Sequence, residues 1–94
     1  MRVKWQRRAL RQLIAIHESI AANGPAAADR IAFEIDQSAQ KLKSFPLLGR
    51  QSDKIGLRLL QVPGRPYVLI YSITPDVIDI ASVFDQRRNP EDMI

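Results

Sequence analysis

The chain has 94 residues, 46% of them hydrophobic, which suits a single folded domain over 1–94 and argues against disorder. It contains no cysteine, so disulfides and thiolate metal sites are excluded, and no apolar run approaches the ~20 residues of a membrane span. Net charge is +4, from 14 Lys+Arg against 10 Asp+Glu. Arg2, Lys4, Arg7, Arg8 and Arg11 crowd the start with no acid among them. Such a patch suits an acidic partner, or is a solvated helix face. The opening MRVKWQRRAL has no apolar stretch behind it, so a soluble, cytoplasmic protein is expected.

Residues 1–5 (MRVKW) alternate, with Val3 and Trp5 on one side and Arg2 and Lys4 on the other, which predicts a short strand. From about Gln6 to Ala22 the period changes. Leu10, Leu13, Ile14, His17 and Ile20 fall at helical spacing, with Arg7, Arg8 and Arg11 mainly outside. In NGPAAADR, Asn23-Gly24 suits the end of one helix and Pro25 the first turn of the next. The second helix runs to about Ser44 on a stripe of Ala28, Ile31, Ile35, Ala39 and Leu42, and the short link makes an antiparallel hairpin.

SFPLLGRQSDKIG, with Pro46 and Gly49, reads as a loop. Three strand-like runs follow, at 57–62, 67–73 and 77–84, separated by PGRP and TPD. Connections this short join antiparallel neighbours. The predicted class is therefore α+β, in the order β-α-α-β-β-β, with a helical hairpin packed on an antiparallel sheet and the first strand at its edge. Leu57 and Leu59 lie on one side of their strand, Leu60 and Val62 on the other. One sheet face packs on the helices; the second is then partly exposed apolar surface, the usual mark of a binding site.

Metal-free RNA cleavage needs a base for the 2′-OH, cations for the phosphate and an acid for the leaving oxygen. Arg58, Arg65, Arg87 and Arg88, on or beside the sheet, supply cations suited to bidentate phosphate contact. The single histidine, His17, lies on the apolar stripe of the first helix and reads as a packing or boundary residue. Tyr67 and Tyr71 share a side of their strand, to stack on bases or to pack at the core edge. Asp79 and Asp85, six residues apart, span ~20 Å and cannot share an ion. Ser72 and Ser82 have no partnered histidine in view. No metal or cofactor is expected.

Five strings in order carry a family resemblance: WQRRALRQLIAI (5–16), FPLLGR (45–50), GLRLLQV (56–62), YVLIYSI (67–73) and VFDQRRNP (83–90). Together they resemble the RelE/ParE superfamily, the toxin halves of bacterial type II toxin–antitoxin pairs, over nearly the whole chain. In that superfamily RelE-like members cut messenger RNA in the ribosome, whereas ParE-like members have no cleavage site and poison DNA gyrase. The nucleases have an arginine directly after the first tyrosine of the middle strand; here Val68 follows Tyr67. They carry a tyrosine or histidine–tyrosine pair near the C-terminus; here the tail is NPEDMI, and Asp85 stands where many relatives have histidine.

The resemblance is thus closer to ParE. It implies a toxin that inhibits gyrase and replication by binding and stabilises plasmids. No catalytic residue is assigned. A ParD-like antitoxin is the implied partner, with operator DNA contacted only through the antitoxin complex. The expected target- or antitoxin-binding residues are Arg7, Arg8 and Arg11 on the hairpin, Arg87 and Arg88 at the last strand's exit, and Arg58, Arg65 and Tyr71 on the sheet. The alternative is a RelE-like ribosome-dependent ribonuclease with an altered site, built from Arg58, Arg65, Arg87 and Tyr71.

Overall fold

A computed structural model describes residues 1–88, and the expectations placed on 89–94, Pro90-Glu91-Asp92 among them, fall outside it. The order is β1 (Arg2–Trp5), α1 (Arg7–Ala21), α2 (Pro25–Lys41), β2 (Arg50–Gln51), β3 (Arg58–Gln61), β4 (Tyr67–Ile73) and β5 (Val77–Asp85). The five strands form one sheet in the order β1-β5-β4-β3-β2. β2 to β5 pair antiparallel, as their short connections require. β1 joins the edge parallel to β5, so the sheet is mixed. The helical hairpin between β1 and the other strands is long enough for that crossover.

Period two in the sequence decides which side chains meet the helices. On β4, Tyr67, Leu69 and Tyr71 turn to the core, opposite Val83 and Ile80 of β5 and Leu60 of β3. Ile70 faces Ser82 while Tyr71 faces Ile80, so Ala81 is a bulge residue. The bulge keeps both Ile80 and Val83 in the core although they are an odd number of residues apart. From the helices come Ala9, Ile35, Ala39 and Leu42, all fully buried, with Leu13, Ile16, Ile20 and Ile31 packed around them.

The α2 stripe is the expected one. The α1 stripe is rotated from it: Ala9, Leu13, Ile16 and Ile20 face inward, while Leu10 and Ile14 are 46% and 49% exposed. Apolar residues fall on two overlapping faces of α1, and the inward one carries Ala9, fully buried. His17 is a half-buried boundary residue. Its Nε2 lies 2.7 Å from Oδ1 of Asp29, tying α1 to the first turns of α2. Gly24 both ends α1, donating to the Ile20 carbonyl, and opens α2, accepting from Ala28 N–H.

β1 covers only the first half of β5. Past Ile80 the β5 edge would show bare backbone to solvent, the edge problem of any open sheet. Gln12 of α1 answers it. Its Oε1 accepts from Val83 N–H and from the Ser82 hydroxyl, both at 2.9 Å.

Candidate functional site

At one end of the sheet the β3–β4 turn and the exit of β5 lie side by side. Tyr67 pairs with Asp85, and Gln86 N–H donates to the Pro66 carbonyl at 2.7 Å. This brings Arg65, Arg87 and Arg88 to one rim. Two of these cations have a carboxylate of their own. Arg65 grips Glu34 of α2 through Nε and Nη2, at 2.9 and 3.0 Å. Arg87 turns back on Asp85, with Nε at 2.9 Å from one oxygen and Nη2 at 2.6 Å from the other. The hydrogen bonds from Arg65 and Arg87 hold the Glu34 and Asp85 carboxyls below their ordinary pKa and raise the guanidinium pKa values.

Between this rim and α1 runs a groove of about 430 Å³. Ala15, Ile16, Ser19 and Ile20 form one wall, and Tyr67, Val83 and Phe84 the other, with Asp85, Arg87 and Arg88 along the lip. Gln12 stands at its floor. With Oε1 held by Ser82 and Val83, its amide N–H groups remain for an occupant. The groove is thus apolar inside, polar at the floor and cationic at the mouth. That chemistry fits an amphipathic acidic chain segment.

The remaining candidates are dispersed. Arg7, Arg8 and Arg11 are exposed on the first turns of α1, before the stretch that lines the groove. Arg58 and Tyr71 are occupied by the 45–49 loop. Arg58 Nε and Nη2 donate to the Gly49 carbonyl at 2.9 and 2.6 Å, and Nη2 reaches the Leu47 carbonyl at 3.3 Å. Tyr71, fully buried, accepts from Gly49 N–H at 3.0 Å and donates to the Pro46 carbonyl at 2.7 Å. Its ring cannot stack on a base, and Tyr67, 6% exposed, is nearly as enclosed. Sequence reasoning missed Gln12 and the Glu34–Arg65 pair. The pair joins residues 31 apart, and no periodicity marks a contact of that separation.

The rim is rich in donors, and the described residues provide no exposed histidine or tyrosine beside it. Among those residues no cluster of histidine and carboxylate groups could hold a metal, and no helix is long and apolar enough to cross a membrane. Residues 3–90 match the family described as ParE toxin of type II toxin–antitoxin system, parDE. The chain is 33% identical over 86 residues to toxin RelE2 of Caulobacter vibrioides, covering 92% of this chain and 96% of the relative. It is 34% identical over 90 residues to putative toxin Y4kP of Sinorhizobium fredii, covering 96% and 94%. A solved chain described as the chromosomal ParDE TA system from P. aeruginosa superposes with a TM-score of 0.81 at 25% identity, over 90% of this chain and 95% of that one. The chain belongs to the ParE toxin family, within the RelE/ParE superfamily.

Proposed function

We propose that this chain is the toxin of a type II pair that acts by binding, with DNA gyrase as its target, and that a ParD-like antitoxin restrains it by filling the α1–β5 groove. The observation that carries the binding mechanism is the state of the sheet-end rim. Arg65 and Arg87 already close on Glu34 and Asp85, and both strand tyrosines are buried. Phosphate would have to compete with a carboxylate at Arg65 and at Arg87, and the described residues offer no exposed histidine or tyrosine beside them for proton transfer. The antitoxin tail would lay apolar side chains against Ile16, Ile20 and Phe84. Its acids would meet Arg88 and the exposed side of the Arg87 guanidinium that Asp85 leaves open, and its backbone carbonyl would meet Gln12. Operator DNA would then be contacted only through the toxin–antitoxin complex. The basic start of α1, Arg7, Arg8 and Arg11, remains exposed as a second surface for an acidic partner.

Induction in cells tests this. Filamentation and a DNA-damage response with intact transcripts are expected; rapid translational arrest with transcripts cut at codon positions would refute it. The second reading, a ribosome-dependent ribonuclease, is favoured by the name of the Caulobacter relative, RelE2, and by the 69% exposed side chain of Arg87.

A further inference from the structure

The loop 45–49 is clamped to the sheet beneath it and displays a cluster of large apolar side chains. Phe45, Leu47 and Leu48 are 63%, 70% and 52% exposed, three large apolar side chains within four positions. Isolated exposed leucines need no explanation; a cluster does. The backbone beneath them is clamped from below. Tyr71 holds Pro46 and Gly49, Arg58 holds Leu47 and Gly49, and Leu48 N–H closes a turn onto the Phe45 carbonyl at 3.1 Å. A Cβ on Gly49 would stand 2.6 Å from the Leu59 carbonyl oxygen and 2.8 Å from the Tyr71 ring and hydroxyl, so the loop is seated directly on the sheet. A buried tyrosine and an arginine thus fix the backbone that carries side chains more than half exposed. Fixing them before binding removes the ordering cost from the binding step.

The flanks give the charge of the occupant. Lys41, Lys43 and Arg50 border the loop, and no acid occurs between Asp36 and Asp53. A groove of about 490 Å³ runs from Leu48 across the end of β3. Lys41, Arg50, Leu59, Gln61 and Val68 line it, and none of its walls carries a carboxylate. It shares no lining residue with the α1–β5 groove, since Gln86 borders one while Asp85 and Arg87 border the other. A second copy of this chain would bring the same cations against these, which disfavours self-association. A nucleic acid would leave the two leucines without a stacking or hydrogen-bonding role. The geometry points to an acidic protein surface with apolar recesses as the occupant. We infer that this loop and its groove are the face that the toxin presents to its target, separate from the antitoxin groove. This rests on the toxin reading above.

The test uses the full chain carrying F45S, L47S and L48S together, and a second variant, K41E with R50E, which leaves the apolar side chains in place. Each is assayed for inhibition of supercoiling by the gyrase holoenzyme, for growth arrest on induction, and for affinity to the purified cognate antitoxin. All five substituted positions are exposed, so melting temperatures should match the wild type. The inference expects both variants to lose at least about tenfold in inhibitory potency and in growth arrest, the loss typical of removing a central contact patch. Antitoxin affinity should stay unchanged. Retained potency in both variants, or an equal loss of antitoxin affinity, would overturn it. A wild-type chain that neither slows gyrase nor arrests growth would instead refute the toxin reading, and the inference with it.

Discussion

Replacing Tyr71 with phenylalanine isolates one hydroxyl. The ring is fully buried and its packing survives the change, so no cavity opens. What disappears is the bridge from Gly49 N–H, at 3.0 Å, to the Pro46 carbonyl, at 2.7 Å. The Gly49 amide lies in a buried bond, and leaving such a donor unpaired costs about 1–3 kcal/mol. Pro46 is half-buried and its carbonyl can recover water, so its share is nearer the ~1 kcal/mol of an ordinary hydrogen bond. The sum is about 2–4 kcal/mol. For a domain of this size that corresponds to a fall in Tm of roughly 10–25 °C. Urea denaturation should show a lower midpoint at unchanged slope, since the surface exposed on unfolding is the same. A loss below about 0.5 kcal/mol would show that the loop does not depend on the hydroxyl, and would remove the reason given for its rigidity.

Four further outcomes are expected. G49A places a methyl carbon against the Leu59 carbonyl and the Tyr71 ring, neither of which can move cheaply, and should cost at least about 2 kcal/mol in the same urea assay. Q12L strips the acceptor from Val83 N–H and should destabilise by about 1–3 kcal/mol, with faster hydrogen exchange at that amide. The Arg65 guanidinium holds the Glu34 carboxyl below its ordinary pKa, so this pair stabilises the fold above the unfolded carboxyl's pKa and is lost as pH falls through the folded one. Wild type should therefore lose stability more steeply than E34Q below about pH 4.3, an ordinary glutamate value, and the two curves should converge in acid. R87E with R88E should weaken antitoxin binding by at least about tenfold, mainly through faster dissociation, as measured by surface plasmon resonance.

Much of the fold was legible because the sequence changes period where the chain changes structure. YVLIYSI is a run of β-branched, aromatic and other apolar residues, broken only by Ser72, between a proline-bounded turn and Thr74, and β4 begins and ends on it. Pro25 marks the first turn of α2 for the same reason, having no amide proton to lose there. The α1 face was harder to read because Leu10, Leu13, Ile14, Ile16 and Ile20 satisfy two overlapping stripes. The choice between them is made by tertiary packing, which buries Ala9 completely on the inward face, and not by period. β2, two residues long, is too short to show alternation. The parallel placing of β1 depends on a crossover that no local string encodes.

The site was legible in its residue types more than in its assignments. Arg87 and Arg88 were visible as cations leaving a strand, and they do line a groove. Arg58 had the same signal in sequence but spends its donors on loop carbonyls. An arginine's partner is set by tertiary contact, so sequence alone could not separate the two cases. Tyr71 was marked as a candidate by its place on the strand. Its parity with Leu69 also assigns it to the core side, where its hydroxyl can meet only backbone.

Purified toxin mixed with the gyrase holoenzyme and relaxed plasmid tests the mechanism most directly. Binding to gyrase predicts loss of supercoiling and accumulation of cleavage complexes, relieved by adding the cognate antitoxin, while mRNA on translating ribosomes stays intact. Unaffected gyrase together with cut mRNA would contradict it.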